Sequence, residues 1–445
     1  MSKEHVQNWW ENVQSSLWFL PAIFGVAAFA LSFIMPEIDS RVEDELTRHQ
    51  EWLFYGTADS ARAILSAISG SLITVITLLF SITILTLQQA SAQFTPRIIR
   101  TFMHDRGIQL VLGVFLATFL YSLLVLRQVR GDDFVGGSSV PMLSVSLAMV
   151  LTILCLALLI FFLHHSATLF QAASIIERIH HDTLDAVKLL YPDEFGDHAD
   201  DDLSLAAFRE QYTRQQGLLV GADSTGFLRS VDDRAIVAAV GDGGWAIVYP
   251  RIGTYVTQRQ HLIEVGGGID RSEEQVEQLR GAFILDKERT LTQDDLFGIR
   301  QLADIALKAL SPAVNDPTTA EHALSCMADI LTVVADRAFP SPSQTVCDDE
   351  NTTCVTIWVN RPSFAGYVEL AFEQIRWTAR NDVHATEHLL GLLVDLERHA
   401  TGDRKLAVAH EIERVIRQVD RSEFDPEDQS RLRTLARRAG ENAAT

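Results

Sequence analysis

Positive charge, cysteine and nucleotide-binding motifs are what this sequence has little of. Lysine and arginine number 37 against 58 aspartates and glutamates, a net charge of -21, so no basic, aromatic-studded surface is offered to nucleic acid. The four cysteines, Cys155, Cys326, Cys347 and Cys354, follow no C-x2-C spacing and are too few for a disulfide framework. Reduced thiols are expected. There is no G-x-S-x-G and no P-loop. The GDGG at Gly241 and the GGG at Gly266 lack the strand before and the lysine or helix after that a phosphate cradle needs. No catalytic residue, cofactor or metal site is assigned.

What is present divides the chain. Leu17 to Met35, Ala63 to Leu87, Ile108 to Leu126 and Met142 to Leu163 are apolar runs without a charged residue. At about 1.5 Å per residue each can cross a ~30 Å hydrocarbon layer. No such run recurs after residue 165. Residues 1–165 therefore form a transmembrane domain, with spans at about 17–35, 63–87, 108–126 and 142–163. A helical linker (166–216), a small β-rich domain (217–268) and a mostly helical α+β domain (269–445) follow. The fold class is an α-helical membrane domain of four transmembrane helices, then an α+β cytoplasmic domain with a small β-barrel-like segment and C-terminal helices.

The first run lacks a basic leader and a small-residue cleavage site, so it is a retained span. Trp9, Trp10 and Trp18, and Trp52, Phe54 and Tyr55, suit the membrane interfaces. Lys3, Arg97, Arg100, Arg106 and Arg178 on one side face Arg41, Arg48, Arg62, Arg127 and Arg130 on the other. The basic TPRIIRTFMHDR segment favours a cytoplasmic loop between spans two and three, and with it cytoplasmic termini.

Span two carries hydroxyls and amides along nearly its whole length. On a helical wheel Ser66, Gly70, Thr74, Thr77, Ser81, Gln88, Ser91 and Thr95 share an arc of about 100°, one helix face. Ile84 interrupts it, and Thr83, Thr86 and Gln89 lie off it. Small and hydroxylated residues let helices approach closely in lipid, and Ser and Thr can bond back to the i−4 carbonyl. Alternatively the face lines a wet path, its oxygens replacing the hydration of an ion or small solute. Amides continuing to the cytoplasmic end favour the second reading. Gly113 and Ala117 give span three a small-x3-small surface and make it a natural neighbour of span two.

Asp59 and Arg62, one turn apart at the outer mouth of span two, can pair or can ring an entrance in an oligomer. The acidic PEIDSRVEDELTRHQEW before them would enrich cations locally.

ADSARAILSAISGSLITVITLLFSITILTLQQASAQFTPRIIRTFMHDRGIQLVLGVFLATFLYSLLVLRQVR closely resembles the core of the DUF2254 family, and FGIRQLADIALKALSPAVNDPTTA resembles its soluble signature. The resemblance implies a bacterial inner-membrane protein with four spans and carries over no catalytic residue.

In the soluble part, WAIVY and HLIEV are short strands between Gly-containing turns. RIGTYVTQRQHLIEV is similar to the turn of barrel-sandwich domains, without their lysine. A helix near Thr292 to Leu310 opens on the capping pair Thr292 and Asp295 and stops before Pro312. Asp316 and Pro317 cap and open the next helix, so SPAVNDP is a rigid corner; Asn315 and Asp316 could also serve docking or gating. HATEH, with His384, Glu387 and His388, matches the inverted zincin pattern, but five residues match easily.

The expected function is a homo-oligomeric channel in the lipid bilayer, span two lining the path and the cytoplasmic part forming a vestibule or gate. The alternative is a membrane-anchored scaffold or regulator that binds another protein. A zinc hydrolase using HATEH is the remote third.

Overall fold

A computed structural model describes residues 18–46, 57–93, 105–129, 140–169, 171–191, 204–212, 217–267, 271–291 and 293–441. The chain divides into two units, Met1–Gln171 and Ala172–Thr445.

The first unit contains helices α1 (Phe19–Leu46), α2 (Ala58–Gln93), α3 (Arg106–Leu126) and α4 (Met142–Leu169). All four are long and apolar enough to cross a membrane. Helix α3 is the hub, with 56% of its span buried against 17% for α1 and 22% for α4. Glycine allows this approach: a Cβ on Gly113 would lie 2.6 Å from the Phe24 ring of α1. Gly113 thus seats span one, and α3 packs against span two as well, as its small-residue surface leads one to expect. Polar bonds tie the helix ends, where orphan backbone groups would be costly in lipid. Asp39 of α1 accepts from Leu143 N, Ser144 N and Ser144 Oγ at 2.7, 3.0 and 2.7 Å, closing the N-terminus of α4. Gln128 Nε2 donates to Ser32 O at 2.8 Å, and Asp105 caps α3 by accepting from Ile108 N at 3.0 Å.

The second unit opens with α5 (Ala172–Leu190) and α6 (Leu205–Tyr212), then β1 (Leu218–Gly221), β2 (Gly226–Val231), α7 (Asp233–Val240), β3 (Trp245–Val248), β4 (Tyr255–Val256) and β5 (His261–Gly266). It continues with α8 (Glu273–Gly281), β6 (Phe283–Asp286), α9 (Leu296–Ala309), α10 (Pro317–Ala335), β7 (Ser343–Cys347) and β8 (Cys354–Val359). Four helices end it: α11 (Phe364–Thr378), α12 (Val383–His399), α13 (Gly402–Val419) and α14 (Pro426–Glu441).

The strands do not close into the expected barrel. They make a five-stranded sheet of order β1-β5-β3-β8-β7 and a three-stranded sheet of order β4-β2-β6. The reason is the β7–β8 hairpin, which arrives after two long helices and pairs β8 parallel to β3, from Trp245 with Thr356 to Val248 with Val359. The free side of β3 is thereby taken. Ala246 and Val248 point into a core with Leu228, Ile236, Ile263, Leu279 and Val355, while Trp245 and Ile247 pack with Phe208 of α6. Buried on both faces, this strand reads as the unbroken apolar run WAIV.

Cys347 and Cys354 are register partners at the turn end of that hairpin and form a disulfide, correcting the expectation of reduced thiols there. Cys155 and Cys326 are free and buried. Helix α9 starts three residues later than the capping-pair reading places it, with Asp295 in place of Thr292 as N-cap, accepting from Leu296 N at 3.0 Å. Thr292 lies outside the described residues. Helix α9 packs on α5, α10 and α11, and α10 on α5 and α12.

Candidate functional site

Helix α2 buries one face and turns the other away from its own bundle. Ala61, Leu65, Ile68, Leu72, Ile76 and Leu79 are buried in the membrane-unit core. Ser66, Gly70, Thr74, Thr77, Ser81 and Gln88 are all exposed. The stripe therefore does not pack against the other described spans of its own chain. Ser91 lies on the same helix; Thr95 lies outside the described residues.

The hydroxyls of this face are oriented. Thr74, Thr77 and Ser81 donate to the carbonyls of Gly70, Ile73 and Thr77 at 3.2, 2.8 and 2.8 Å. With each proton spent on the helix, the oxygen lone pairs remain for whatever lies outside, so the face presents acceptors. A Cβ at Gly70 would meet only open space among the described residues. Apolar Ile73, Leu78, Ile84 and Leu85 are exposed beside the stripe.

At the N-terminal end of α2, Arg62 Nη1 lies 3.4 Å from Asp59 Oδ1 and Arg62 Nη2 donates to Val129 O at 3.2 Å. The arginine is tied to the end of α3, and Asp59 is left exposed.

In the second unit Asn315 adopts a left-handed φ of 49°, and Asp316 caps α10. Its carboxylate accepts from Thr319 N at 3.1 Å and Thr319 Oγ1 at 2.6 Å. HATEH opens α12, but its members are engaged separately. Glu387 pairs with Arg431 of α14 at 3.1 Å, and His388 Nε2 lies 3.0 Å from Ser325 Oγ. His384 is exposed.

Two groupings escaped sequence reasoning. Tyr191 and Tyr367 hydroxyls lie 2.8 Å apart, and Tyr367 donates to Asp295. Burial pushes the Asp295 carboxyl up to about 6, the Tyr367 hydrogen bond working against it. Burial likewise raises both phenols. Nothing local flags this trio, whose members are 72 and 176 residues apart. The other is Glu177, His322 and Cys326, whose ligand atoms all lie within 4.8 Å of one another. The H-x3-C spacing of His322 and Cys326 on one helix face was its visible trace.

The family described as predicted membrane protein (DUF2254) matches residues 14–395. Uncharacterised proteins of Mycobacterium bovis and Mycobacterium tuberculosis are each 32% identical over 443 residues, covering 96% of this chain and 81% of theirs. No solved structure matches the chain.

Proposed function

The chain belongs to the DUF2254 family of predicted membrane proteins, and from that premise we propose that it is a homo-oligomeric channel whose second span lines the path. The outward polar face of α2 carries the reading. In a lone chain Thr74, Thr77 and Ser81 would present their acceptors to lipid, which has no donors for them. Closed cyclic assembly would turn the faces of several copies toward a common axis, where water or a cation can use them. One copy alone fills its centre with α3 and an apolar core, so the path needs symmetry. Outward acceptors, exposed Asp59 and the acidic segment before it favour cations over anions. In this reading the bilayer is an inner membrane, and the termini, with the C-terminal unit as vestibule or gate, lie on the cytoplasmic side.

The back-bonded hydroxyls of Thr77 and Ser81 need no water, and this favours a second reading. The same face could be a dry seam between copies of a scaffold that presents the C-terminal unit to another protein.

Reconstituted vesicles separate the two. In the channel, Thr77→Leu with Ser81→Leu abolishes cation flux while subunit number in detergent is unchanged. Loss of assembly in that variant, or a monomeric native protein in membranes, refutes the channel.

A further inference from the structure

Helix α5 carries Glu177 and His180 one turn apart, and α10 carries His322, Cys326 and Asp329 at successive turns of one face. The two helices pack together. His322 Nε2 lies 3.0 Å from Glu177 Oε1, and Cys326 Sγ completes a set with all donor atoms within 4.8 Å of one another. One turn further on, His180 Nε2 lies 2.8 Å from Asp329 Oδ2.

We propose that Glu177, His322 and Cys326 bind a divalent cation of the zinc class, with a fourth position left for water. A thiolate, an imidazole and a carboxylate suit zinc and exclude calcium and magnesium, which take oxygen ligands. Tetrahedral bonds of about 2.0–2.3 Å place donors roughly 3.3–3.8 Å apart, so Glu177 and His322, now 3.0 Å apart, part slightly to admit the ion, while the Cys326 sulfur stands within 4.8 Å of both. The ligands divide that task. Cys326 is buried and His322 half-buried on the same face of α10, whereas Glu177, 63% exposed, is the side chain able to move.

A surface ion pair would explain Glu177 and His322 without the thiol. It does not explain why a buried cysteine faces two carboxylates. Glu177 and Asp329 set negative charge beside that buried sulfur. A cation reverses that environment: the thiol proton leaves to solvent, the sulfur bonds the metal, and the nearby negative charge becomes favourable. Bound there, the ion clamps α5 onto α10. The site lies wholly in the second unit and does not depend on the channel reading.

The test uses the full-length protein in mild detergent, stripped by chelator and titrated with Co2+. One equivalent binds per chain and produces a near-ultraviolet thiolate-to-cobalt charge-transfer band, which Zn2+ abolishes by displacement. Cys326→Ser removes the band. His322→Ala and Glu177→Gln each weaken binding roughly tenfold or more. Cys155→Ser and His384→Ala leave band and stoichiometry unchanged. Zn2+ raises the melting temperature of the native protein and not that of His322→Ala, a readout that stands even if Cys326→Ser fails to fold. Cobalt bound without the band, a band surviving Cys326→Ser, or binding lost in His384→Ala overturns the assignment.

Discussion

Asp295 does two jobs that conflict. It caps α9 through Leu296 N and accepts from Tyr367, both of which favour a charged carboxylate, yet its burial and then the charge of Asp294 favour the acid. The acid wins, and the group titrates near 6 rather than the ordinary 3.8. Its contribution to stability is therefore complete below about pH 4 and lost as pH rises through about 6, a change of about 3 kcal/mol. Asp295→Asn stays neutral and keeps an acceptor for Leu296 N. Melting curves at about pH 4.5 and about pH 7.5 should show the variant gaining on the native protein at the higher pH. An identical gap at both values would remove Asp295 from the pH response. Asp316 is the simpler case. Both its oxygens go to Thr319, so Asp316→Ala should cost about 1 kcal/mol, read as a melting temperature about 2–4 °C lower. Unchanged melting with altered membrane function would show that the corner acts as a contact instead. The contrast between the two aspartates shows what a sequence exposes. Asp316 acts on a residue three positions away, in a pattern set by helix geometry; Asp295 acts with tyrosines brought together only by the folded chain.

Among elements, the spans were legible because crossing a bilayer demands length and apolarity and nothing subtler. Their partners were not. The small residue at Gly113 signalled close approach without saying to what, and the large Phe24 ring of α1 occupies the space. Gly113→Val should therefore loosen the α1–α3 contact and lower the melting temperature in detergent, whereas Gly70→Val, facing open space, should leave it unchanged. Equal effects would mean that both faces are packed in the assembly. The β-barrel expectation failed for a related reason. Residues 217–268 supply strands with the right turns, but the partner of β3 lies more than 100 residues later, at Thr356 to Val359, beyond any local pattern. Helix α11 is held to α13 in a way periodicity also conceals: Arg376 Nε lies 2.8 Å from Glu411 Oε1, the side chains 7% and 3% exposed. Arg376→Ala leaves Glu411 buried with Arg414 as its remaining partner at 3.2 Å and should cost about 3–5 kcal/mol. A loss below about 1 kcal/mol would show that water enters and solvates the acid.

At the scale of the whole molecule two observations pull in opposite directions. Four spans put both ends of the chain on one side, and Arg97, Arg100 and Arg106 between the second and third spans favour the cytoplasm for that side. The Cys347–Cys354 disulfide lies in the C-terminal unit, and disulfides persist in oxidising compartments. Their weights differ. The bond closes a loop of sequence separation 7 at the end of an edge hairpin, so breaking it removes only about 2 kcal/mol of chain-entropy stabilisation. The β3–β8 ladder and the core beneath it remain. The C-terminal unit can thus stay folded with both thiols reduced, as the cytoplasm would keep them. A C-terminal green fluorescent protein fusion should therefore fluoresce. Cys347 and Cys354 should both take up a permeant alkylating agent applied to growing cells before lysis, and the purified reduced protein should retain its secondary structure. A dark fusion together with a pair already oxidised at the moment of quenching would invert the chain, placing the Gln88 end of span two at the outer surface and exchanging the entrance and exit of the proposed path.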